Sequence, residues 1–300
     1  MTALSFHGVF TALVTPFTED GSAIDFDAYR RLLETQIEAK VAGVVPCGTT
    51  GESPTLTSAE QIELIRFTKR VVKNQLPVLA GAGSNATQKS VEGAKAALDA
   101  GADAVMIVMP YYNKPSQTGL IRHIEQIAAA VSAPIVLYNI PTRSVVELSV
   151  PSVLAVLESC PNVMAVKDAT GGLGHCQELL SRSGDRVAVL SGDDALALPM
   201  MALGAAGVIS VASNLYPKAV VRLVDAAKRG DFAAARKEHF KLLPVFKALF
   251  EEPSPAPIKA ALASQGWMHG SLRLPMAPVT PECQKRLLAV LKTYDEAAGS

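Results

Sequence analysis

The amino-acid sequence predicts an α/β fold, a (β/α)8 TIM barrel followed by a C-terminal helical appendage. Three observations predict this fold: eight short apolar runs recur at a regular spacing, helix-like stretches separate them, and the alternation stops after residue 228. Eight β-then-α units within about 225 residues match the usual size of such a barrel. We therefore expect a barrel domain over residues 1–228 and a three-helix region over residues 229–300.

The apolar runs have the composition of strands that are buried on both faces. Each run is about as long as a strand, rich in Val and Ile, and continuous rather than alternating, as in parallel sheets. The runs are Val9–Thr15, Gly43–Cys47, Val78–Ala82, Ala104–Met109, Ile135–Tyr138, Val163–Val166, Val187–Leu190 and Val208–Val211.

Helix signals lie between the runs and again after them. The clearest helical stretch is Ser58–Lys73, where Thr57 followed by Glu60 forms a capping-box signature. Four other stretches between the runs have helical character: Ser90–Ala100, Gln117–Ala130, Pro151–Ser159 and Tyr216–Lys228. The pattern after residue 228 predicts three helices: Asp231–Glu251, Pro257–Gln265 and Pro281–Ala298.

A doubly wound open sheet also alternates strands and helices, so it is the competing fold. That fold usually carries a phosphate-binding glycine fingerprint after its first strand. The segment TALVTPFTEDG, which begins within the first run at Thr11 and continues beyond it, has no such fingerprint. The pattern therefore favours the barrel.

The composition indicates a folded protein that acts on small molecules. Hydrophobic residues make up 49% of the chain and charged residues 19%, and the 28 Lys and Arg balance the 28 Asp and Glu. A neutral total gives no net attraction to nucleic acid or to an anionic membrane. No apolar run approaches the roughly 20 residues that span a bilayer, and the first residues lack signal-peptide features. We expect a soluble, cytoplasmic protein with neither a nucleic-acid nor a membrane partner.

The four cysteines do not form a metal-binding or disulfide pattern. They show no CxxC pair and no ligand-like spacing against the five histidines: Cys47, Cys160, Cys176 and Cys283. We expect them to be small apolar fillers, and we expect no metal site.

Active sites in this fold lie at the carboxyl ends of the strands, so polar residues that follow the apolar runs are the candidates. Five runs end in such residues: GTTGES at 48–53, PYYN at 110–113, YNIPTR at 138–143, KDAT at 167–170 and SGDD at 191–194. In a barrel of parallel strands these five segments lie together at one end.

Lys167 is the strongest catalytic candidate. It directly follows Val163–Val166, so its amine would lie inside or at the mouth of a barrel. Apolar surroundings favour a neutral amine, which is the nucleophile that attacks a ketone to form an imine. The alternative is a structural ion pair with Asp168, because a lysine is rarely buried in a protein interior unless it is paired.

The other candidates each have a functional and a structural interpretation. The GTTGES loop can cradle a carboxylate, or it is an ordinary turn that caps the next helix. Tyr138 and Tyr112 can exchange protons with an imine through the Thr49 hydroxyl, or they are core or interface residues. Arg143 can bind a substrate carboxylate with both arms of its guanidinium, or it is solvated.

Five motifs together resemble the dihydrodipicolinate synthase and N-acetylneuraminate lyase superfamily of class I aldolases. The resemblance runs from residues 11–17 to residues 272–276, nearly the whole chain. The motifs occur in one order along the chain, which argues against coincidence: GTTGES at 48–53, PYYNKP at 110–115, YNIPTR at 138–143, VKDATG at 166–171 and GVISVASN at 207–214.

The resemblance implies a role for each matching residue. Lys167 would form the imine, and Tyr138 would donate and accept protons through Thr49 and Tyr112. In this family the second tyrosine reaches across a dimer interface into the neighbouring site. The residues implied in substrate binding are Thr49 and Thr50 for the pyruvyl carboxylate, Arg143 for the carboxylate of the aldehyde, and Gly192 and Ile209 for the pyruvate pocket.

Within the superfamily, GTTGES and the arginine after YNIP are similar to the synthase rather than to the sialic-acid lyase. The resemblance then implies condensation of pyruvate with L-aspartate-4-semialdehyde to 4-hydroxy-tetrahydrodipicolinate, the first committed step towards diaminopimelate and lysine. It implies no metal or organic cofactor, because the lysine imine is itself the electron sink. It also implies a homo-oligomer, a tetramer made of two tight dimers.

Two other functions stay open on the sequence. A related pyruvate aldolase that acts on a sugar-acid or hydroxy-oxoglutarate substrate would share Lys167 and Tyr138 and differ only in its aldehyde pocket. A catalytically silent barrel that binds pyruvate or another metabolite belongs to a different class. The intact set of Lys167, Tyr138, Thr49 and Tyr112 argues against the silent barrel.

The chain departs from the family pattern at residues 144–145, at Ser254, where an asparagine is common, and at the positions that bind inhibitory lysine. Ser144-Val145 stands where the synthases usually have Thr-Gly, and the larger Val145 could narrow the entrance for the aldehyde. At the positions where other members bind inhibitory lysine, Ser58 and Gln61 replace common histidines and Lys89 replaces a glutamate, although three residues match: Ser53, Asn85 and Tyr111. A cation at position 89 should repel lysine, so we expect weak or absent feedback.

Overall fold

The computed structural model describes residues 4–299 and contains eight parallel strands in one sheet. Their hydrogen-bonded order is β2-β1-β8-β7-β6-β5-β4-β3. The strands are β1 Gly8–Ala12, β2 Gly43–Val45, β3 Leu79–Gly81, β4 Ala104–Val108, β5 Ile135–Asn139, β6 Val163–Asp168, β7 Ala188–Ser191 and β8 Gly207–Ser210.

The two ends of this order meet. A parallel bridge joins Val44 to Val78, the N–H of Val44 donates to the Pro77 carbonyl at 3.0 Å, and the N–H of Gly81 donates to the Pro46 carbonyl at 3.0 Å. The strands therefore form a nearly closed barrel, and the predicted fold class is confirmed.

Helices surround the strands and continue after the last one. They are α1 Phe26–Ala39, α2 Ser58–Val72, α3 Thr87–Asp99, α4 Gln117–Ala130, α5 Pro141–Ser144, α6 Val150–Ser159, α7 Leu173–Ser183, α8 Ala197–Ala202, α9 Pro217–Lys228, α10 Phe232–Ala248, α11 Ala256–Ser264 and α12 Pro281–Gly299. The Thr57–Glu60 capping box of α2 is present as predicted. Helices α1, α5, α7 and α8 are additional to the stretches that the sequence predicts.

The alternation of side chains along each strand divides the core in two. Phe10, Val136 and Ala165 belong to a cluster that fills the barrel interior. Their neighbours along the strands, such as Val9 and Val166, belong to the larger cluster between the barrel and its helices. Because successive strand residues face opposite sides, the residue after Val166 points inward and the next one points outward.

Glycine permits the close approach that joins β2 to β3. A Cβ on Gly81 would lie 2.1 Å from the carbonyl oxygen of Cys47, which is closer than atoms can pack. Any larger residue at this position would push apart the strand ends that carry the GTTGES loop.

The three predicted C-terminal helices are present and pack on the barrel. Helix α10 lies against α9, and α12 lies against both α10 and α11. The domain boundary at residue 228 stays a prediction.

All four cysteines are buried and free, which fits their interpretation as apolar fillers. Among residues 4–299, no helix combines the length and apolar character that crossing a membrane requires.

We predict that Phe10→Ala lowers the free energy of unfolding by about 3–5 kcal/mol, because it removes a fully buried ring from the barrel interior. Urea denaturation monitored by circular dichroism measures the change. Phe240→Ala is the control, since Phe240 is mostly exposed on α10 and should change stability by no more than about 0.5 kcal/mol. Equal losses in the two variants would contradict the assignment of Phe10 to the core.

Candidate active site

Lys167 lies at the carboxyl end of β6 and points into the barrel. It pairs in register with Tyr138 on β5 and with Leu190 on β7. Its side chain is buried, the residue being 5% exposed, and its Nζ lies 4.0 Å from the centroid of the Tyr138 ring. Within the described part of the chain, no carboxylate lies within 4.0 Å of this amine and no side-chain hydrogen bond holds it.

Asp168 does not pair with Lys167, so the structural alternative for this lysine is wrong. The two residues are successive in β6, and their side chains therefore face opposite sides of the barrel wall. The Asp168 carboxylate instead contacts Nδ1 of His175 on α7 at 2.8 Å, and it accepts from the N–H and hydroxyl of Thr170. The sequence analysis did not identify His175.

The absence of a side chain at Gly192 leaves room for the side chain of Lys167. A Cβ on Gly192 would lie 3.2 Å from Cε of Lys167 and 2.7 Å from Cβ of Ala169. Ile209 is buried in the interior cluster that also contains Tyr138. Of the two residues predicted to line the pyruvate pocket, Gly192 therefore lies beside the lysine side chain, and Ile209 lies on the inner side of the barrel.

The GTTGES loop is a tight turn with free hydroxyl groups. The Gly48 carbonyl accepts from the N–H groups of Gly51 and Ser53, and the Thr49 carbonyl accepts from the N–H of Glu52 at 3.1 Å. Among residues 4–299, the hydroxyls of Thr49 and Thr50 have no hydrogen-bond partner. These two donors are available to a ligand, as the carboxylate-cradle interpretation requires.

Glu52 fixes this loop to the C-terminal region. Its carboxylate contacts Nζ of Lys259 on α11 at 2.5 Å and accepts from the N–H of Arg273 at 3.0 Å. Both side chains of the Glu52–Lys259 pair are almost fully buried, and burial lowers the pKa of Lys259 to about 8 although the nearby carboxylate opposes this shift. The pair joins residues that are 207 positions apart, so no local sequence pattern indicates it.

Thr49, Tyr138 and Arg143 line one cavity of about 800 Å³ at the barrel mouth. The Arg143 guanidinium donates to the Ser254 carbonyl at 3.3 Å and is otherwise exposed at the rim. Val145 is exposed, has a positive φ of 66° and does not line the cavity of a single chain, so its expected effect on the entrance stays a prediction.

Tyr112 is the one candidate catalytic residue whose side chain lies apart from the other candidates within a single chain. It follows β4, has a positive φ of 76° and is 88% exposed. Tyr111, next to it, lines the cavity instead. The predicted proton relay through Tyr112 is therefore incomplete within a single chain.

The geometry defines a class of enzyme. A buried amine without an ion-pair partner, a tyrosine ring beside it, a loop with free hydroxyl donors and an arginine at the rim are the groups that an imine-forming aldolase needs. No cluster of three or more His, Cys, Asp or Glu side chains in the described residues is arranged to bind a metal ion.

The chain belongs to the dihydrodipicolinate synthetase family, whose model matches residues 5–294. The 4-hydroxy-tetrahydrodipicolinate synthase of Sorangium cellulosum is 52% identical over 98% of both chains. The synthase structure from Methylacidiphilum fumariolicum superposes with a TM-score of 0.95 at 44% identity and covers 97% of each chain. The chloride-inhibited synthase of Acinetobacter baumannii, solved with pyruvate, has a TM-score of 0.95 and 38% identity, covering 97% and 99% of the two chains.

We predict that Gly192→Ala slows imine formation about 10- to 100-fold, because the added methyl group displaces the Lys167 side chain from its attack position. The rate of borohydride trapping with pyruvate measures this step. Gly174→Ala is the matched control, since a Cβ at Gly174 on α7 meets no atom within 4 Å. Equal trapping rates in wild type and Gly192→Ala would show that the lysine does not need this space.

Proposed function

We propose that this chain condenses pyruvate with L-aspartate-4-semialdehyde to give 4-hydroxy-tetrahydrodipicolinate. The observation that carries the proposal is the buried Lys167 amine, which has no ion-pair partner and lies against the Tyr138 ring inside the barrel. The names of the relatives and the match of their family model along the chain support the same reaction.

The chemistry starts at the Lys167 amine. Its nitrogen adds to C2 of pyruvate, water leaves, and the resulting imine loses a proton from C3 to become an enamine. C3 of the enamine then forms a carbon–carbon bond with the aldehyde carbon of the second substrate. The amino group of that substrate attacks C2, closes the ring and releases Lys167, so no external oxidant or reductant takes part.

The surrounding groups have complementary tasks in this proposal. The free hydroxyls of Thr49 and Thr50 and the N–H groups of their loop hold the carboxylate of pyruvate, which Gly192 and Ile209 enclose. Tyr138 donates and accepts protons during imine formation through the Thr49 hydroxyl. Arg143 at the rim binds the carboxylate of the aldehyde.

Tyr112 completes the site in an oligomer. A large aromatic side chain that is 88% exposed in one chain is available to a second copy. We propose that Tyr112 enters the site of a neighbouring subunit in a tight dimer, and that two such dimers form a tetramer. Activity then depends on dimer formation as well as on Lys167.

A related aldolase with another aldehyde substrate is the alternative that shares this chemistry. Arg143 favours the synthase because it places a cation at the rim, where the carboxylate of L-aspartate-4-semialdehyde would lie. Turnover with sugar acids or hydroxy-oxoglutarate instead of the semialdehyde would select the alternative.

We predict that wild type turns over pyruvate and L-aspartate-4-semialdehyde in an assay coupled to NADPH-dependent reduction of the product. Lys167→Ala should lose at least about 1,000-fold in turnover, because it lacks the nucleophile. Lys218→Ala is the control, since Lys218 is an exposed lysine at the start of α9. Trapping of pyruvate on Lys167 without NADPH oxidation would keep the imine and reject this aldehyde.

We also predict that millimolar L-lysine leaves turnover nearly unchanged. Lys89, Ser58 and Gln61 line the same cavity on the side of α2 and α3, and a lysine side chain at position 89 would repel a cationic amino acid. Initial rates at increasing lysine concentration measure the effect, with Lys89→Glu as the charge-reversed comparison. Strong inhibition of the wild type would contradict the prediction.

A further inference from the structure

The loop that carries Arg143 is closed at its base by one side chain. Asn139, the last residue of β5, accepts from the Leu148 N–H at 3.0 Å and donates to the Leu148 carbonyl at 2.9 Å. Within the loop, the Ser144 hydroxyl contacts the carbonyl oxygens of Ile140 and Val146, each at 2.8 Å. Residues 139–148 therefore form a closed loop with Arg143 near its middle.

His175 ties this closed loop to the strand of the catalytic lysine. Its Nε2 lies 3.0 Å from the Leu148 carbonyl oxygen, and its Nδ1 lies 2.8 Å from the Asp168 carboxylate. The side chain of His175 is only 6% exposed and that of Asp168 only 1%. Asp168 directly follows Lys167, so the imidazole connects the loop of Arg143 to the residue beside the nucleophile.

The partners of the imidazole favour its charged form. The Asp168 carboxylate accepts from Nδ1, and the closer of the two partners of Nε2 is the Leu148 carbonyl at 3.0 Å, an acceptor, whereas the Asn139 amide nitrogen, a donor, lies at 3.3 Å. Burial lowers the pKa of His175, but the hydrogen bond and charge of Asp168, the Leu148 carbonyl and the charge of Glu147 outweigh it and raise the pKa. The other Asp168 oxygen accepts from Thr170, which holds the carboxylate in place.

We propose that His175 is a positioning residue that holds loop 139–148, and with it Arg143, at a fixed distance from Lys167. The proposal rests on the proposed function, in which Arg143 binds the second substrate. His175 lies on the outer side of the barrel wall, so we expect it to act on the binding of the second substrate through the loop base, where its Nε2 lies 3.0 Å from the Leu148 carbonyl oxygen and 3.3 Å from the Asn139 amide nitrogen. Imine formation with pyruvate, which does not use Arg143, stays independent of it.

Two conservative variants separate the two bonds of the imidazole. The side-chain amide of His175→Asn can take the place of Nδ1 and keep Asp168, whereas that of His175→Gln can take the place of Nε2 and keep the Leu148 carbonyl. Steady-state kinetics with L-aspartate-4-semialdehyde should give about a 10- to 100-fold rise in KM for His175→Asn and a clearly smaller rise for His175→Gln. Borohydride trapping of pyruvate should stay within about twofold of wild type in both variants.

Hydrogen exchange supplies a readout that needs no aldehyde. Amides of residues 140–148 should exchange faster in His175→Asn than in His175→Gln or wild type, because the loop has lost its outer contact. Equal KM values and equal exchange in the two variants would overturn the proposal, and so would a parallel loss of pyruvate trapping, which marks a general structural role. If wild type does not turn over the semialdehyde, the proposed function fails, while the exchange comparison still decides whether His175 holds the loop.

Discussion

The arrangement of this site follows from one constraint. The amine of Lys167 is buried in a nearly closed barrel and has no carboxylate to pair with among the described residues. Lys167 contacts the face of the Tyr138 ring, and the side chains below it in the barrel are apolar. Burying a cation without a partner is unfavourable, so burial of this lysine does not itself stabilise the barrel, and the proposed function gives its amine a chemical task. In the proposed function, the free hydroxyls of Thr49 and Thr50 bind the carboxylate of the substrate whose carbonyl group the amine attacks.

Two buried charged pairs in the described residues hold loops next to the barrel. Glu52 joins the GTTGES loop to Lys259 of the C-terminal region, and Asp168 joins the β6 strand to His175. Breaking a buried pair leaves an uncompensated charge, so each pair fixes its loop strongly. The alternation of side chains along β6 separates the two directions: Lys167 faces the barrel interior, and Asp168 faces the surrounding helices. The C-terminal helix α11 therefore supports the GTTGES loop, whose threonines bind the carboxylate of pyruvate in the proposed function.

Much of the fold and of the inner site could be predicted from the sequence because both follow from strand periodicity. Continuous Val- and Ile-rich runs located all eight strands within a few residues, and the position of Lys167 after such a run placed it at the barrel mouth. Helices α7 and α8 were harder to predict, because Gly171, Gly172 and Gly174 surround the start of one and Pro199 lies inside the other. Lys259 pairs with Glu52 at a separation of 207 positions, and no motif marks the contact of His175 with Asp168. The proposed role of Tyr112 needs a second chain, which one sequence does not describe.

The most direct test of the central claim is a crystal structure of the protein grown with pyruvate. The account predicts continuous electron density from Nζ of Lys167 to C2 of pyruvate, with the carboxylate against the Thr49 and Thr50 hydroxyls and the methyl group towards the open cavity. Pyruvate bound non-covalently, with Lys167 directed elsewhere or paired with a carboxylate, would contradict the claim that this buried amine is the nucleophile.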